Sequence, residues 1–306
     1  MPRQMKVRPA SLATVMARLG CLILAALLTV AIGHSARAAG LPTNAAGLSV
    51  HAPRPWEWWL QPAASPIEKT IDWFLQYVLW IMFAVVLFVA VLIAVILFRF
   101  NAKKNPVAST TTHNTLIEVI WTLVPAILLV VVFVPSMHLI YQQSNYKHRY
   151  MTIRVTGHQW YWEYNYEGAK GVDFTSYAIP PDKLKPGEIR QLSANHPLVV
   201  PVGKKIVFQI TSADVLHSFF IPSLGVQRYA IPGQIWHQWT EIDAPGVYYG
   251  ECNQICGMNH DDMPIEIVAL PVKQFQAWLA KDKADAAQGN VAKVRPFEVL
   301  ADNGVK

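Results

Sequence analysis

From Trp73 to Phe98 the chain carries no charged residue: WFLQYVLWIMFAVVLFVAVLIAVILF. About twenty apolar residues cross the hydrocarbon core of a bilayer, so this run is long enough to span one with some tilt. Asp72 and Arg99 close its ends. A second run, VIWTLVPAILLVVVFVPSMHLIY, covers residues 119–141. Its Pro125 and Pro135 predict kinks, which membrane helices tolerate when neighbouring groups satisfy the freed carbonyls. The two runs predict a two-helix transmembrane hairpin over residues 72–142.

Beyond residue 145 the period of the pattern changes to two. In KKIVFQITS (204–212), Ile206, Phe208 and Ile210 fall on one face and Val207, Gln209 and Thr211 on the other. MTIRVTGHQWYWEYNY (151–166), GVYYGEC (246–252) and PIEIVALP (264–271) are rich in β-branched and aromatic residues and also predict strands. The punctuation between them (IPPDKLKPGE, IPSLG, AIPGQ, DAPG) predicts a small antiparallel sandwich over residues 145–280. A short helix over 272–280 would dock Phe275, Trp278 and Leu279 on it. Residues 281–306 read as a solvated tail. Residues 39–71, rich in Pro, Ala and Gly, read as an extended, water-facing lead-in whose Trp56, Trp58 and Trp59 rest at a membrane interface or on a partner.

Composition agrees with a membrane protein: 53% of the 306 residues are hydrophobic and 15% charged. The net charge of +6 resides at the start of the chain. Residues 1–38 hold Arg3, Lys6, Arg8, Arg18 and Arg37 and no acid, with an apolar run and Ala36-Arg37-Ala38 behind them, which reads as a secretory signal peptide. Cleavage after Ala38 removes five positive charges and lowers the net charge from +6 to +1, so nucleic acid is not an expected partner. An uncleaved signal anchor is the alternative. The loop near 99–117 carries Arg99, Lys103 and Lys104, which the positive-inside bias places in the cytoplasm. Both termini and the strand-rich domain then lie on the periplasmic face of the inner membrane.

The chemistry is concentrated in YYGECNQICGMNHDDM (248–263), where the spacing is Cys252-x3-Cys256-x3-His260-x2-Met263. Upstream, DVLHSFF supplies His217. Thiolate, imidazole and thioether together form a soft ligand set suited to copper, and thioether is a poor ligand for zinc. One cysteine, one histidine and one methionine on such a loop, with a remote histidine, would make a single-copper electron-transfer site. A second cysteine lets two thiolates each bridge two metal ions, so the loop predicts a binuclear site with one shared unpaired electron. In an oxidising compartment a Cys252–Cys256 disulfide is the competing reading, and a mononuclear site the other.

At these residues the chain resembles subunit II of the haem-copper cytochrome c oxidases. The resemblance runs through HNTLIEVIWTLVPA (113–126), GHQWYWEYNY (157–166), DVLHS and IPSLGV (214–226), AIPG (230–233), GVYYGEC (246–252) and ICGMNHDDMPI (255–265), in the family's order. It implies a cupredoxin-like Greek-key barrel beside the membrane hairpin. It further implies a binuclear copper centre, CuA, of two copper ions. Cys252 and Cys256 would bridge the ions, with His217, His260 and Met263 as terminal ligands and the main-chain carbonyl of Gln254 completing the set. Trp160 would be where the electron arrives from cytochrome c; core filling is the plainer reading for one or two of Trp160, Tyr161 and Trp162. Glu118, at the cytoplasmic start of the second helix, would stand at the mouth of a proton path, although the helix dipole alone favours an acid there.

Haem, in this family, belongs to subunit I, where oxygen is reduced to water with proton translocation; subunits I and III are the implied partners. The chain departs from the family at Gln254, usually a glutamate that helps bind magnesium or manganese, and at QRY (227–229). A neutral amide is a weaker ligand for a hard cation, so that site is left unassigned.

Residues 206–272 hold seven acids against one basic residue, Arg228. Asp214, Glu251, Asp261 and Asp262 lie within three residues of an expected ligand, and such an excess would steer a basic cytochrome c towards the copper. Ordinary surface charge is the alternative for any one of them. Two other functions are alternatives. A quinol-oxidising relative would lack the copper ligands. A copper-delivery protein would not need two membrane helices or the HNTLIEVIWT segment.

Overall fold

The computed structural model describes residues 41–44, 47–107, 109–169 and 171–287. The expected signal peptide, residues 1–38, and residues 288–306 of the expected tail lie outside the described residues. Residues 76–129 form one compact unit, and residues 41–75 with those from 130 onward form a second.

Helices α1 (Pro66–Arg99) and α2 (Thr115–Gln143) contain the two apolar runs, at 34 and 29 residues. Ser65 caps α1: its hydroxyl oxygen accepts from the Glu68 N–H at 3.1 Å and donates to the Leu224 carbonyl at 2.7 Å. Asn114 caps α2, accepting from the Ile117 N–H at 3.2 Å, while Glu118 accepts from the Asn114 N–H at 3.3 Å. The α2 helix continues through Pro125 and Pro135. Between Trp73 and Tyr141 these helices bury no side chain among the described residues, as expected of surfaces meant for lipid or other membrane helices.

The second unit carries eleven strands among the described residues: β1 (Ser49–His51), β2 (Met151–His158), β3 (Tyr161–Tyr166), β4 (Asp173–Ser176), β5 (Leu198–Pro201), β6 (Lys205–Ser212), β7 (His217–Ile221), β8 (Val226–Ala230), β9 (Trp236–Glu241), β10 (Gly246–Cys252) and β11 (Pro264–Leu270). They form two sheets, β5-β11-β10-β7-β8 with β1 joined to β10, and β4-β3-β2-β6-β9. Together the sheets make the expected Greek-key barrel, but not a purely antiparallel one. β1 runs parallel to β10, β2 to β6 and β5 to β11. Parallel neighbours need long connections; β2 and β6 are separated in sequence by β3, β4 and β5, so alternation within one segment could not reveal their pairing.

Between the sheets Trp162, Tyr164, Tyr166, Phe208, Phe219 and Tyr248 are fully buried or nearly so. A smaller cluster of Ile67, Val207 and Trp239 gathers on the outer face of the second sheet, with Ile71 and Tyr146 against it. There Trp239 Nε1 donates to the Gln142 carbonyl at 2.9 Å, and Lys69 pairs with Asp243 at 2.8 Å. These contacts tie the first turns of α1 and the last of α2 to the β domain.

The lead-in departs from the expectation of a water-facing coil, because β1 belongs to a sheet and Ala64 is buried. Trp56 and Trp58 are exposed, whereas Trp59 donates to Asp72 at 2.8 Å. The final helix also exceeds its predicted span. Helix α3 runs Val272–Ala287, burying Phe275 and Trp278 as foreseen and also Asp282, within the stretch read as solvated tail.

Candidate metal centre

His217 opens β7, Cys252 closes β10, and Cys256, His260 and Met263 lie on the loop from β10 to β11. β7 and β10 are hydrogen-bonded neighbours, with Cys252 opposite Phe219. Register therefore sets the remote histidine beside the loop, some 35 positions later in the chain. Gly250 permits the approach: a Cβ there would fall on the Phe220 carbonyl.

The ligand atoms of His217, Cys252 and Cys256 lie within 4.8 Å of one another, and all three residues are buried. His217 Nδ1 is 3.9 Å from Cys252 Sγ, the two sulfurs are 3.9 Å apart, and His260 Nδ1 is 3.5 Å from Cys256 Sγ. A disulfide needs about 2.05 Å, so these are two free thiols. The Gln254 carbonyl oxygen lies 3.3 Å from Cys252 Sγ, and Met263, also buried, accepts through its carbonyl from the Cys252 N–H at 3.1 Å. Burial, with the neighbouring Cys252 adding to it, pushes the Cys256 thiol up to about 12. Two buried sulfurs held close without a bond between them are the arrangement a bridging soft metal ion would relieve.

A second set of residues holds the ligands in place. Asp214 Oδ1 bonds His217 Nε2 at 2.8 Å. An acceptor on Nε2 places the ring proton there and leaves the Nδ1 lone pair facing Cys252. Asp214 also accepts from the Gln159 and Val215 N–H groups, each at 2.6 Å. Burial alone would raise its pKa, but the bonds from His217, Val215 and Gln159 outweigh that and hold the carboxyl below its ordinary value. The Gln159 side chain reaches across to donate to the Cys256 carbonyl at 2.7 Å. Gly157, on β2, lies under the His217 ring, where a Cβ would come within 2.8 Å of Cδ2.

The three aromatics of QWYW separate cleanly. Trp162 is core, fully buried, with its ring edge-on to His217 at 6.0 Å between centroids. Tyr161 stacks between His158 and Tyr177, with centroids 4.6 Å away on each side. Trp160 lies against the ligand loop: a Cβ on Gly257 would sit 3.0 Å from its Cζ2.

Of the expected docking acids, Glu251, Asp261 and Asp262 are exposed, with Asp261 accepting from Gln191 at 3.0 Å. Asp214 is engaged in orienting His217. Sequence reading missed that role, and it missed Gln159 and Gly157. It also passed over Ile255 and Met258, which the loop holds 80% and 88% exposed between its ligands. Their signal was present in the sequence as apolar residues interleaved with ligands. Glu118 lies far along the chain, half-buried at the start of α2.

The chain is similar to known proteins. The family described as cytochrome c oxidase subunit II, periplasmic domain, matches residues 151–270, and the one described as the transmembrane domain of the same subunit matches residues 53–139. A probable cytochrome c oxidase subunit 2 of Rickettsia bellii is 40% identical over 242 residues, covering 79% of this chain and 90% of that protein. Its counterpart in Rickettsia felis is 41% identical, covering 79% and 77%. The crystal structure of the periplasmic domain of subunit II of cytochrome oxidase from Bradyrhizobium japonicum is 37% identical, covering 45% of this chain and 96% of that one, with a TM-score of 0.42.

Proposed function

The chain belongs to the subunit II family of the cytochrome c oxidases, and from that premise we propose that its outer domain holds a binuclear copper centre through which the oxidase takes up electrons from cytochrome c. The observation that carries this reading is the meeting of two unjoined, buried thiols 3.9 Å apart with an imidazole nitrogen close to each. Cys252 and Cys256, with His217, His260, Met263 and the Gln254 carbonyl, would hold the copper. Copper bound there would supply one-electron redox chemistry.

The protein's own part is to keep the ligands where both oxidation states want them. Asp214 fixes the ring of His217, Gln159 fixes the loop at Cys256, and the β7–β10 ladder fixes the two halves of the site to each other. Little then needs to move when charge changes. Trp160, packed at Gly257, is the aromatic side chain between the surface and the ligand loop. Exposed Glu251, Asp261 and Asp262 steer a basic cytochrome c, and Ile255 and Met258 give it an apolar contact once docked. Electrons pass on to haem in subunit I, where oxygen is reduced. Glu118, on the cytoplasmic side, serves the mouth of a proton path. The chain is a multi-pass protein of the inner membrane, with both termini and the copper domain in the periplasm, and subunit III completes its surroundings.

The test is copper stoichiometry with spin resonance on the purified full-length chain. The expected result is two coppers per chain and a multi-line hyperfine pattern, with Cys256→Ser abolishing the pattern while the far-UV spectrum is kept. One copper per chain, or a Cys252–Cys256 disulfide in the copper-loaded protein, would overturn the reading.

A further inference from the structure

On the outer face of the second sheet the strand register lays side chains in rows. Arg154, Gln209 and His237 form one row; Thr152, Val207 and Trp239 form the next. Against them lies a recess of about 180 Å³ lined by Tyr146, Arg149, Thr152, Val207, Gln209 and His237. No carboxylate lines it. Its donors are only partly used within the fold. Arg149 spends only Nε, on the Thr152 hydroxyl at 3.0 Å, and the Tyr146 hydroxyl donates to the His237 carbonyl at 3.0 Å. Arg154 is exposed and stands beside the recess, opposite Gln209 in the ladder, and is not part of its lining; neither its guanidinium nor the Gln209 amide has a hydrogen-bond partner among the described residues, and the His237 ring meets the Tyr146 ring, 5.6 Å away between centroids. By register the nearest acids lie on the β3 side: Glu167, whose N–H donates to the Thr152 carbonyl at 3.1 Å, and Glu163, opposite Thr156 and bonded to His158 at 3.0 Å; neither forms an ion pair with Arg149 or Arg154 among the described residues.

Two further observations say what would fill such a site. The first is depth. Tyr146 stands three residues beyond Gln143, where α2 ends. Three residues reach at most about 10 Å, and the headgroup layer on each side of a bilayer is roughly 5–8 Å thick. The recess therefore opens at the level of the outer headgroups. The second is charge. Residues 144–158, SNYKHRYMTIRVTGH, hold Lys147, Arg149 and Arg154 and no acid. The inner loop carries Arg99, Lys103 and Lys104. Positive charge on the outer flank works against the bias that orients membrane helices, so these residues are not there to set topology. Guanidinium groups suit a phosphate.

We propose that this recess binds the phosphate of an anionic phospholipid of the outer leaflet, with Arg149 in its lining and Arg154 at its edge as the cationic contacts and His237, Gln209 and Tyr146 around it. Lipid held there would seat the β domain against the bilayer beside α2. The proposal does not depend on the copper reading.

The experiment is native mass spectrometry of the copper-loaded full-length chain in detergent, titrated with dioleoyl phosphatidylglycerol, with phosphatidylcholine and inorganic phosphate as separate arms. At roughly fivefold per arginine near an anionic surface, the double variant Arg149→Gln/Arg154→Gln should weaken binding of the tightest phosphatidylglycerol about thirtyfold. Arg149→Lys/Arg154→Lys should keep most of the affinity. Copper content reports that each variant is folded. An unchanged affinity in the glutamine pair overturns the proposal. So does inorganic phosphate displacing the lipid at equal concentration, which would mark a site for a soluble anion, or phosphatidylcholine binding as tightly as phosphatidylglycerol.

Discussion

Asp214 and Asp282 are the same side chain in opposite surroundings. Asp214, beside the ligand loop, receives hydrogen bonds from His217, Gln159 and Val215, and its carboxyl is held below the ordinary range. Asp282, on α3, is 1% exposed, neither of its oxygens has a hydrogen-bond partner among the described residues, and burial pushes its pKa up to about 6. Beside the ligand loop this carboxylate is matched before any metal arrives. Under α3 the domain is held by Phe275 and Trp278, and apolar packing there carries an unmatched acid along with it. Order from hydrogen bonds fixes directions, as a ligand set requires; order from apolar contact fixes only proximity.

The sharpest way to break this contrast is to spoil the direction of His217 without touching a hydrogen bond. Gly157→Ala places a Cβ within 2.8 Å of the ring carbon Cδ2. The neighbours are two paired strands, so the imidazole must yield. Copper affinity, measured by chelator competition on the full-length chain, should fall about a hundredfold, at the upper end for a displaced ligand support. Unchanged affinity would mean that the ring has slack the structure does not show. A gentler version removes the acceptor and leaves the space. Asp214→Asn keeps the shape but offers Nε2 an amide in place of a carboxylate, and should cost nearer tenfold. If Asp214 were a docking acid alone, copper affinity would stay constant and only the salt dependence of the reaction with cytochrome c would change.

What the sequence made legible follows the same division. The membrane helices were readable because lipid imposes one rule on every residue from Trp73 to Phe98, the absence of charge. The ligands were readable because Cys252, Cys256, His260 and Met263 are rare side chains crowded into one loop. Asp214 was read by its charge as a docking residue, since nothing local says that its oxygens are taken by residues 159 and 217. The role of Gln159 depends on a loop nearly a hundred positions away. β1 was hidden for a like reason: three residues, Ser49–His51, become a strand only because β10 offers them an edge. The seven residues by which α3 outruns its predicted end, Lys281–Ala287, are mostly polar, and only the burial of Asp282 marks them as docked.

Asp282 also gives the smallest and most easily signed effect. Its folded pKa of about 6 lies above the ordinary value of 3.8, so the folded chain binds this proton more tightly than the unfolded one. Between those values stability falls as pH rises, and the penalty is complete once the pH passes the folded pKa. A shift of this size corresponds to an upper bound of about 3 kcal/mol. Asn in its place still buries an amide that lacks partners, which offsets part of the gain. Asp282→Asn should therefore stabilise the docking of α3 by about 1–2 kcal/mol at pH 8 and by almost nothing at pH 4. Amide exchange along residues 272–287 reads this directly, with protection rising roughly tenfold at the higher pH. Equal gains at both pH values would show that the acid is tolerated for its shape and that its charge costs nothing, and the contrast with Asp214 would lose its electrostatic half.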